Sequence, residues 1–209
     1  LLVICGPTAT GKTALGIKLA QKFKGEIVSA DSRQVYKYMD VITGKDKHLF
    51  KTIPVWGLDL VEPDQKFSVA HWLKFAHKKI QDIWQRKKLA IVVGGTGFWI
   101  KALIEGIDSL GVAPDWKLRK EWSNCSLIKL SNCLKKLDKK RWERMNKSDK
   151  NNPRRLIRAI EIAKQLKTPN LSFRTPRLKI DKLLVIGLKA PNKYLYQRID
   201  KRVEERIKQ

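Results

Sequence analysis

A chain of 209 residues that is 43% hydrophobic and carries seven Trp can bury a sizeable core, which excludes a disordered tail or a peptide-sized module. Its 45 Lys and Arg against 20 Asp and Glu give a formal charge of +25, more than solubility requires, and point to a polyanionic partner, nucleic acid ahead of an anionic membrane. Cys5, Cys125 and Cys133 are an odd set without zinc-type spacing, and no stretch is apolar enough to cross a bilayer; a soluble chain in a reducing, cytoplasmic setting is expected rather than a disulfide framework or a zinc knuckle.

Residues 1–5 form an unbroken apolar run, Gly6-Pro7-Thr8-Ala9-Thr10-Gly11-Lys12-Thr13 follows, and Leu15, Leu19, Ala20 and Phe23 then recur at helical spacing. The order is strand, loop, helix, and the loop fits the pattern G-x-x-x-x-G-K-[ST] in the context that gives it meaning. The glycines let backbone N–H groups curl around phosphate oxygens, and the helix start adds positive potential. Lys12 supplies a point charge and the Thr13 hydroxyl suits Mg²⁺. Gly6 through Thr13 are therefore expected to hold the phosphates of a small substrate.

A second apolar run, residues 26–30, ends at Asp31, and residues 55–60 offer a third strand. Ser68 caps a helix whose face is Val69, Trp72, Leu73, Ala76, Ile80 and Ile83, and residues 89–93 form a strand that ends in Gly94-Gly95-Thr96-Gly97. Strands alternating with helices predict an α/β fold, a P-loop NTPase-like parallel sheet flanked by helices, with ligands at the carboxyl ends of its strands. Asp31 and Thr96 sit at such ends. Most P-loop nucleotidases end an apolar strand in an Asp that helps hold Mg²⁺, whereas Ile91-Val92-Val93 ends in glycines. The nearest carboxylate after a strand is Asp31, which suits a general base, a metal ligand or a turn cap.

From residue 114 to 151 Lys and Arg crowd between Leu130, Leu134, Leu137 and Trp142, which predicts a small helical insertion. Asn152 then caps a helix with Pro153 in its first position, running to about residue 166. Residues 182–188 return to a strand, and Leu195, Ile199, Val203 and Ile207 mark a final helix expected to pack back on the sheet. The predicted division is an α/β core of residues 1–113 and 152–209 and a basic insertion of residues 114–151. Leu1 is not Met and lies within an apolar run, and the last helical pattern has no stop signal, so the chain is expected to be cut at both ends.

Four motifs together resemble one family, the tRNA dimethylallyltransferases, also called tRNA isopentenyltransferases. They are Gly6 through Thr13, Asp31-Ser32-Arg33-Gln34-Val35-Tyr36, Val93-Gly94-Gly95-Thr96-Gly97, and Asn152-Pro153-Arg154-Arg155-Leu156-Ile157-Arg158-Ala159-Ile160-Glu161. The resemblance implies transfer of a dimethylallyl group from dimethylallyl diphosphate to N6 of the tRNA adenine immediately 3′ of the anticodon, with diphosphate leaving. It implies that Asp31 accepts the proton, that Thr8 touches the diphosphate, that Lys12 and Mg²⁺ at Thr13 neutralise it, and that Arg155 helps bind it. Asp31, Ser32, Arg33, Gln34, Thr96, Arg119, Arg154, Arg155, Leu156, Ile157 and Arg158 would face tRNA. The basic insertion, with Lys117, Arg119, Lys120, Lys135, Lys136, Lys139, Lys140, Arg141 and Arg144, would clasp the anticodon stem of a tRNA bound by a monomer. Phe98-Trp99 stand where the family usually has Leu-Tyr, and Lys139 follows Asp138 where Pro is common.

Two other classes fit parts of the sequence. A P-loop kinase of a small metabolite or nucleoside would use the loop and Asp31 but has no need of the basic insertion. A non-catalytic RNA-binding module does not explain why Lys12, Thr13 and Asp31 occur together.

Overall fold

A computed structural model describes residues 1–50, 52–107, 112–166 and 178–207. In chain order it contains β1 (Leu2–Cys5), α1 (Lys12–Lys22), β2 (Glu26–Ser29), a one-turn α2 (Asp40–Thr43), a 3₁₀ turn (Lys47–Phe50), β3 (Val55–Trp56), α3 (Val69–Gln85), β4 (Ala90–Gly94) and α4 (Gly97–Glu105). Five helices follow: α5 (Trp116–Trp122), α6 (Leu127–Leu137), α7 (Lys139–Arg144), α8 (Lys147–Lys150) and α9 (Pro153–Leu166). Then come β5 (Leu184–Gly187) and α10 (Asn192–Ile207). The chain divides into an α/β unit, Leu1–Gly106 with Arg177–Gln209, and a helical unit, Ile107–Pro176.

The α/β unit is built on five parallel strands in the order β3-β2-β4-β1-β5. Leu2, Ile4, Ile27, Ile91 and Val93 from the three central strands meet Ala20 of α1 in one core cluster, as the near-continuous apolar strands of a sheet covered on both faces require. On α3 the predicted face is buried at Trp72, Leu73, Ala76, Ile80 and Ile83. Ser68 is its N-cap, with its N–H donating to His71 Nδ1 at 3.2 Å. Trp72 stacks on Trp99 at 5.0 Å and donates its indole N–H to Ser29 O at 2.9 Å, so the large ring is anchored to β2.

Three predicted features differ. The strand at residues 55–60 stops after Trp56, because Gly57 (φ 93°) and Asp59 (φ 54°) leave the extended region. Phe23 is 53% exposed, and the core position on α1 is Gly16 instead; a Cβ there would lie 2.8 Å from Val93 Cγ2. On α10 only Leu195 is buried, while Val203 and Ile207 face outward. The predicted apolar stripe of that helix is fully buried only at its first turn.

At the amino end of β2, Glu26 is buried and accepts from Trp56 Nε1 (2.8 Å), Lys88 Nζ (2.8 Å) and the Arg86 guanidinium (2.9 Å from Nη2). Hydrogen bonding from Arg86, joined by Lys88 and Trp56, outweighs the effect of burial and holds the carboxyl at about 2.

The helical unit is larger than the predicted insertion of residues 114–151, for it includes α9. Leu156, Ile157, Ala159, Ile160 and Ala163 of α9 pack with Leu118, Leu130 and Leu134 in a separate core. Asn152 Oδ1 accepts the Arg155 N–H at 3.3 Å, so the helix starts where its cap and proline predict. Periodicity reveals that α9 has an apolar face but not which core receives it.

Candidate active site

Strand order brings the sequence motifs of the α/β unit together. β4 lies between β1 and β2, with Cys5 paired to Gly94 and Val93 to Ser29, so the loops leaving these three carboxyl ends start level with one another. Ala30 N donates to Val93 O at 2.8 Å and Thr96 N to Ala30 O at 3.2 Å. The approach is close enough that a Cβ on Gly94 would sit 2.2 Å from Ala30 O, which explains a glycine there. Ser32 N then donates to Thr96 Oγ1 at 2.9 Å, and that hydroxyl donates to Ser32 Oγ at 3.3 Å. Thr96 thereby fixes the turn that carries Asp31.

The loop after β1 winds tightly through Gly6 (φ 140°), Ala9 (φ 64°) and Gly11 (φ 87°). Gly11 caps α1, whose first turn contains no acidic residue of its own to offset the positive potential of that helix start. Thr10 Oγ1 and Lys12 Nζ both donate to Pro7 O, at 2.8 and 2.6 Å. Burial pushes the Lys12 ammonium below its ordinary range; Asp31 opposes this and Arg202 adds to it.

These elements line a cavity of about 920 Å³. Thr8, Lys12 and Thr13 come from the first loop, Asp31, Arg33 and Gln34 from the second, and Gly94 and Gly95 from the third. Asp31 Oδ1 accepts the Arg33 N–H at 2.9 Å, so this carboxylate stabilises its own turn and also faces the cavity. Gln34 is held by Ser29 Oγ (3.3 Å) and by Gly44 O (3.0 Å). Among the described residues no group of three or more His, Cys, Asp or Glu could hold a metal. The Thr13 hydroxyl is nevertheless a hard oxygen donor on this cavity, one that fits Mg²⁺ once phosphate oxygens and water complete its shell.

Arg198, Arg202 and Arg206 of α10 also line this cavity, and Arg198 Nη1 donates to Ala9 O at 3.3 Å. Sequence reasoning missed them. The signal was there, an Arg at every fourth position, but it runs beside the apolar stripe Leu195, Ile199, Val203 and Ile207, which has the same spacing.

The remaining predicted site residues belong to the helical unit. Arg154 and Arg155 are exposed, and Arg155 pairs with Asp149 at 2.6 Å. Arg119 and Arg158 bind the fully buried Glu161 carboxylate, at 2.5 and 2.9 Å, while Arg158 Nη2 also reaches Val112 O at 2.7 Å. Burial opposes ionisation of Glu161, yet the hydrogen bonds from Arg119 and Arg158 win and hold its carboxyl below the usual range. Leu156 and Ile157 are a correction: at 0% and 6% exposure their side chains form the helical core and are not available to RNA. Lys135 and Lys150 lie 4.9 Å over the Trp142 ring, and Lys117, Lys120, Lys136, Lys139, Lys140 and Arg144 are exposed.

Comparison with known proteins identifies the family of the chain. The profile of the IPP transferase family matches residues 34–209, and that of isopentenyl transferase matches residues 1–56. A tRNA dimethylallyltransferase of Acetivibrio thermocellus is 41% identical over 98% of this chain and 67% of its own length. One from Halothermothrix orenii is also 41% identical, over all of this chain and 65% of its own. The chain thus spans about two thirds of the length of these relatives. Among solved structures, a full-length tRNA isopentenylpyrophosphate transferase from Bacillus halodurans superposes with a TM-score of 0.64 at 32% identity, covering 99% of this chain and 65% of that one. A eukaryotic dimethylallyltransferase acting on tRNA gives a TM-score of 0.77 at 27% identity, covering all of this chain and 52% of that one. With sequence and fold matching from end to end, the chain belongs to the IPP transferase family.

Proposed function

We infer that this protein transfers a dimethylallyl group from dimethylallyl diphosphate to N6 of the tRNA adenine immediately 3′ of the anticodon and releases diphosphate. The observation that carries this reading is the single cavity in which a phosphate loop, a carboxylate at Asp31 and three arginines meet, with β4 ending in glycines instead of a metal-binding Asp. The cavity suits a diphosphate that departs.

The amino nitrogen of adenine is a weak nucleophile because its lone pair is delocalised into the ring. In the reaction N6 attacks C1 of the dimethylallyl group, the C1–O bond breaks with its electron pair going to diphosphate, and the N6 proton passes to Asp31. The backbone N–H groups of the first loop, Lys12 and the α10 arginines stabilise charge gathering on the leaving oxygens. Thr13, together with the phosphate oxygens, would hold Mg²⁺, which would supply Lewis-acid neutralisation of that charge. Drawing the adenine out of its stack costs a few kcal/mol, and contacts from exposed basic residues to the tRNA backbone offset this. Thr8 touches the diphosphate, Arg33 and Gln34 form the acceptor side of the cavity, and Thr96 holds Ser32 in the turn that carries Asp31.

The test is incubation with labelled dimethylallyl diphosphate and total tRNA beside Lys12→Ala and Asp31→Ala variants. Label is expected in tRNA with the wild type and not with either variant. A chain that phosphorylates a small acceptor from ATP and leaves tRNA unlabelled would overturn the reading.

A further inference from the structure

The loop after α2 meets the arginine row of α10. Gly44 ends α2 with φ 65°, and its carbonyl accepts from Gln34 Nε2 at 3.0 Å and from Arg202 Nη2 at 3.3 Å. Two residues on, the Asp46 carboxylate pairs with Arg202 Nη2 and lies 3.7 Å from Arg206 Nη2. A Cβ at Gly44 would fall 1.9 Å from Arg206 Nη2, so the loop rests directly against that guanidinium. Arg206 Nε is buried and has no hydrogen-bond partner among the described residues. One carboxylate therefore serves two guanidinium groups and satisfies neither fully.

The chain on either side of Asp46 is anchored by ion pairs. On one side Lys45, whose side chain is fully buried, donates to Tyr36 O, to Asp40 Oδ1 at 2.8 Å and to Asp59 Oδ1 at 2.5 Å. On the other, Lys47 bridges Asp40 and Asp59 at 2.6 and 2.8 Å. Arg202 hangs from α10 on a flexible stem and lines the same cavity as Lys12 and Thr8. A diphosphate there offers it a bidentate partner of higher charge than one carboxylate.

We propose that Asp46 is the resident counter-ion of the α10 arginine row, holding Arg202 and Arg206 at the cavity until a diphosphate group takes Arg202 from it. The proposal rests on the diphosphate reading given above. Asp46 is a positioning residue that weakens diphosphate binding by the strength of the pair that must break, and it recaptures Arg202 as the product leaves. Without it the donor is held more tightly and released diphosphate departs more slowly.

The experiment is a calorimetric titration of inorganic diphosphate with Mg²⁺ into the wild type and into Asp46→Asn, which keeps shape and an acceptor for Arg202 but removes the charge. The variant is expected to bind at least about fivefold more tightly, a modest coupling between two ligands of one group. Asp46→Glu restores wild-type affinity, and in an Arg202→Gln background Asp46→Asn changes nothing further. Equal or weaker binding by Asp46→Asn overturns the proposal. So does the same tightening in the Arg202→Gln background, which would make the effect one of overall charge. Should Asp46→Asn lose its melting transition, Asp46→Ser carries the same expectation. A wild type that binds no diphosphate at all overturns the phosphate site itself, a failure distinct from a site that binds diphosphate and ignores Asp46.

Discussion

At Asp31 a single carboxylate has two tasks. It accepts the Arg33 N–H at 2.9 Å within its own turn and it faces the cavity beside Lys12. Asp31→Asn retains the amide oxygen that the turn needs and loses the basicity that proton transfer needs. Its single-turnover rate with tRNA is expected to fall by about 10²–10⁴-fold, the usual span for removing a general base, while its melting temperature stays near that of the wild type. Glu26 shows the opposite case, a carboxylate whose partners are all structural. Its carboxyl, ordinarily at 4.5, is held at about 2 in the fold, so its contribution to stability is present above about pH 4.5 and is lost as pH falls toward 2. Urea unfolding of the wild type is expected to weaken steeply across that window. Glu26→Gln is less stable above it and loses less stability across it than the wild type.

At the scale of elements, legibility depended on whether a signal was local. The starts of α3 and α9 and the winding of the first loop follow from Ser68, from Asn152-Pro153 and from glycines, each acting on its own few residues. The partner of a face is not local. The apolar periodicity of α9 fits either unit, and only the facing Leu130 and Leu134 of α6 decide it. Likewise the arginines of α10 gain meaning only when β5, paired to β1, brings that helix back to the first loop. Residues read from the family motif as RNA-facing included Leu156, yet a motif records which positions matter and not whether they matter by contact or by packing. Leu156→Ala is therefore expected to cost about 2–5 kcal/mol of unfolding free energy, as for a buried leucine. Arg154→Ala, on an exposed position of the same helix, changes it by less than about 0.5 kcal/mol. Denaturant titration of both variants separates the two kinds of motif residue.

At the scale of the molecule the net charge of +25 has to be divided between catalysis and grip. The cavity carries its own concentrated share in Lys12, Arg33 and the α10 arginines, all in the α/β unit. The exposed Lys120, Lys136 and Lys140 belong to the helical unit, where no fold-stabilising carboxylate of the kind that holds Arg119 and Arg158 is paired with them by a hydrogen bond or ion pair among the described residues. If these lysines neutralise tRNA phosphates, each releases counterions on binding, and affinity falls steeply with salt. The triple variant Lys120→Ala, Lys136→Ala, Lys140→Ala is then expected to lower the slope of log affinity against log salt by about three, one for each phosphate that is no longer neutralised. Its binding of dimethylallyl diphosphate stays at the wild-type value, because none of the three lines the cavity. An unchanged slope in filter binding over a salt series would show that the helical unit owes its charge to solvation and that the tRNA is gripped elsewhere.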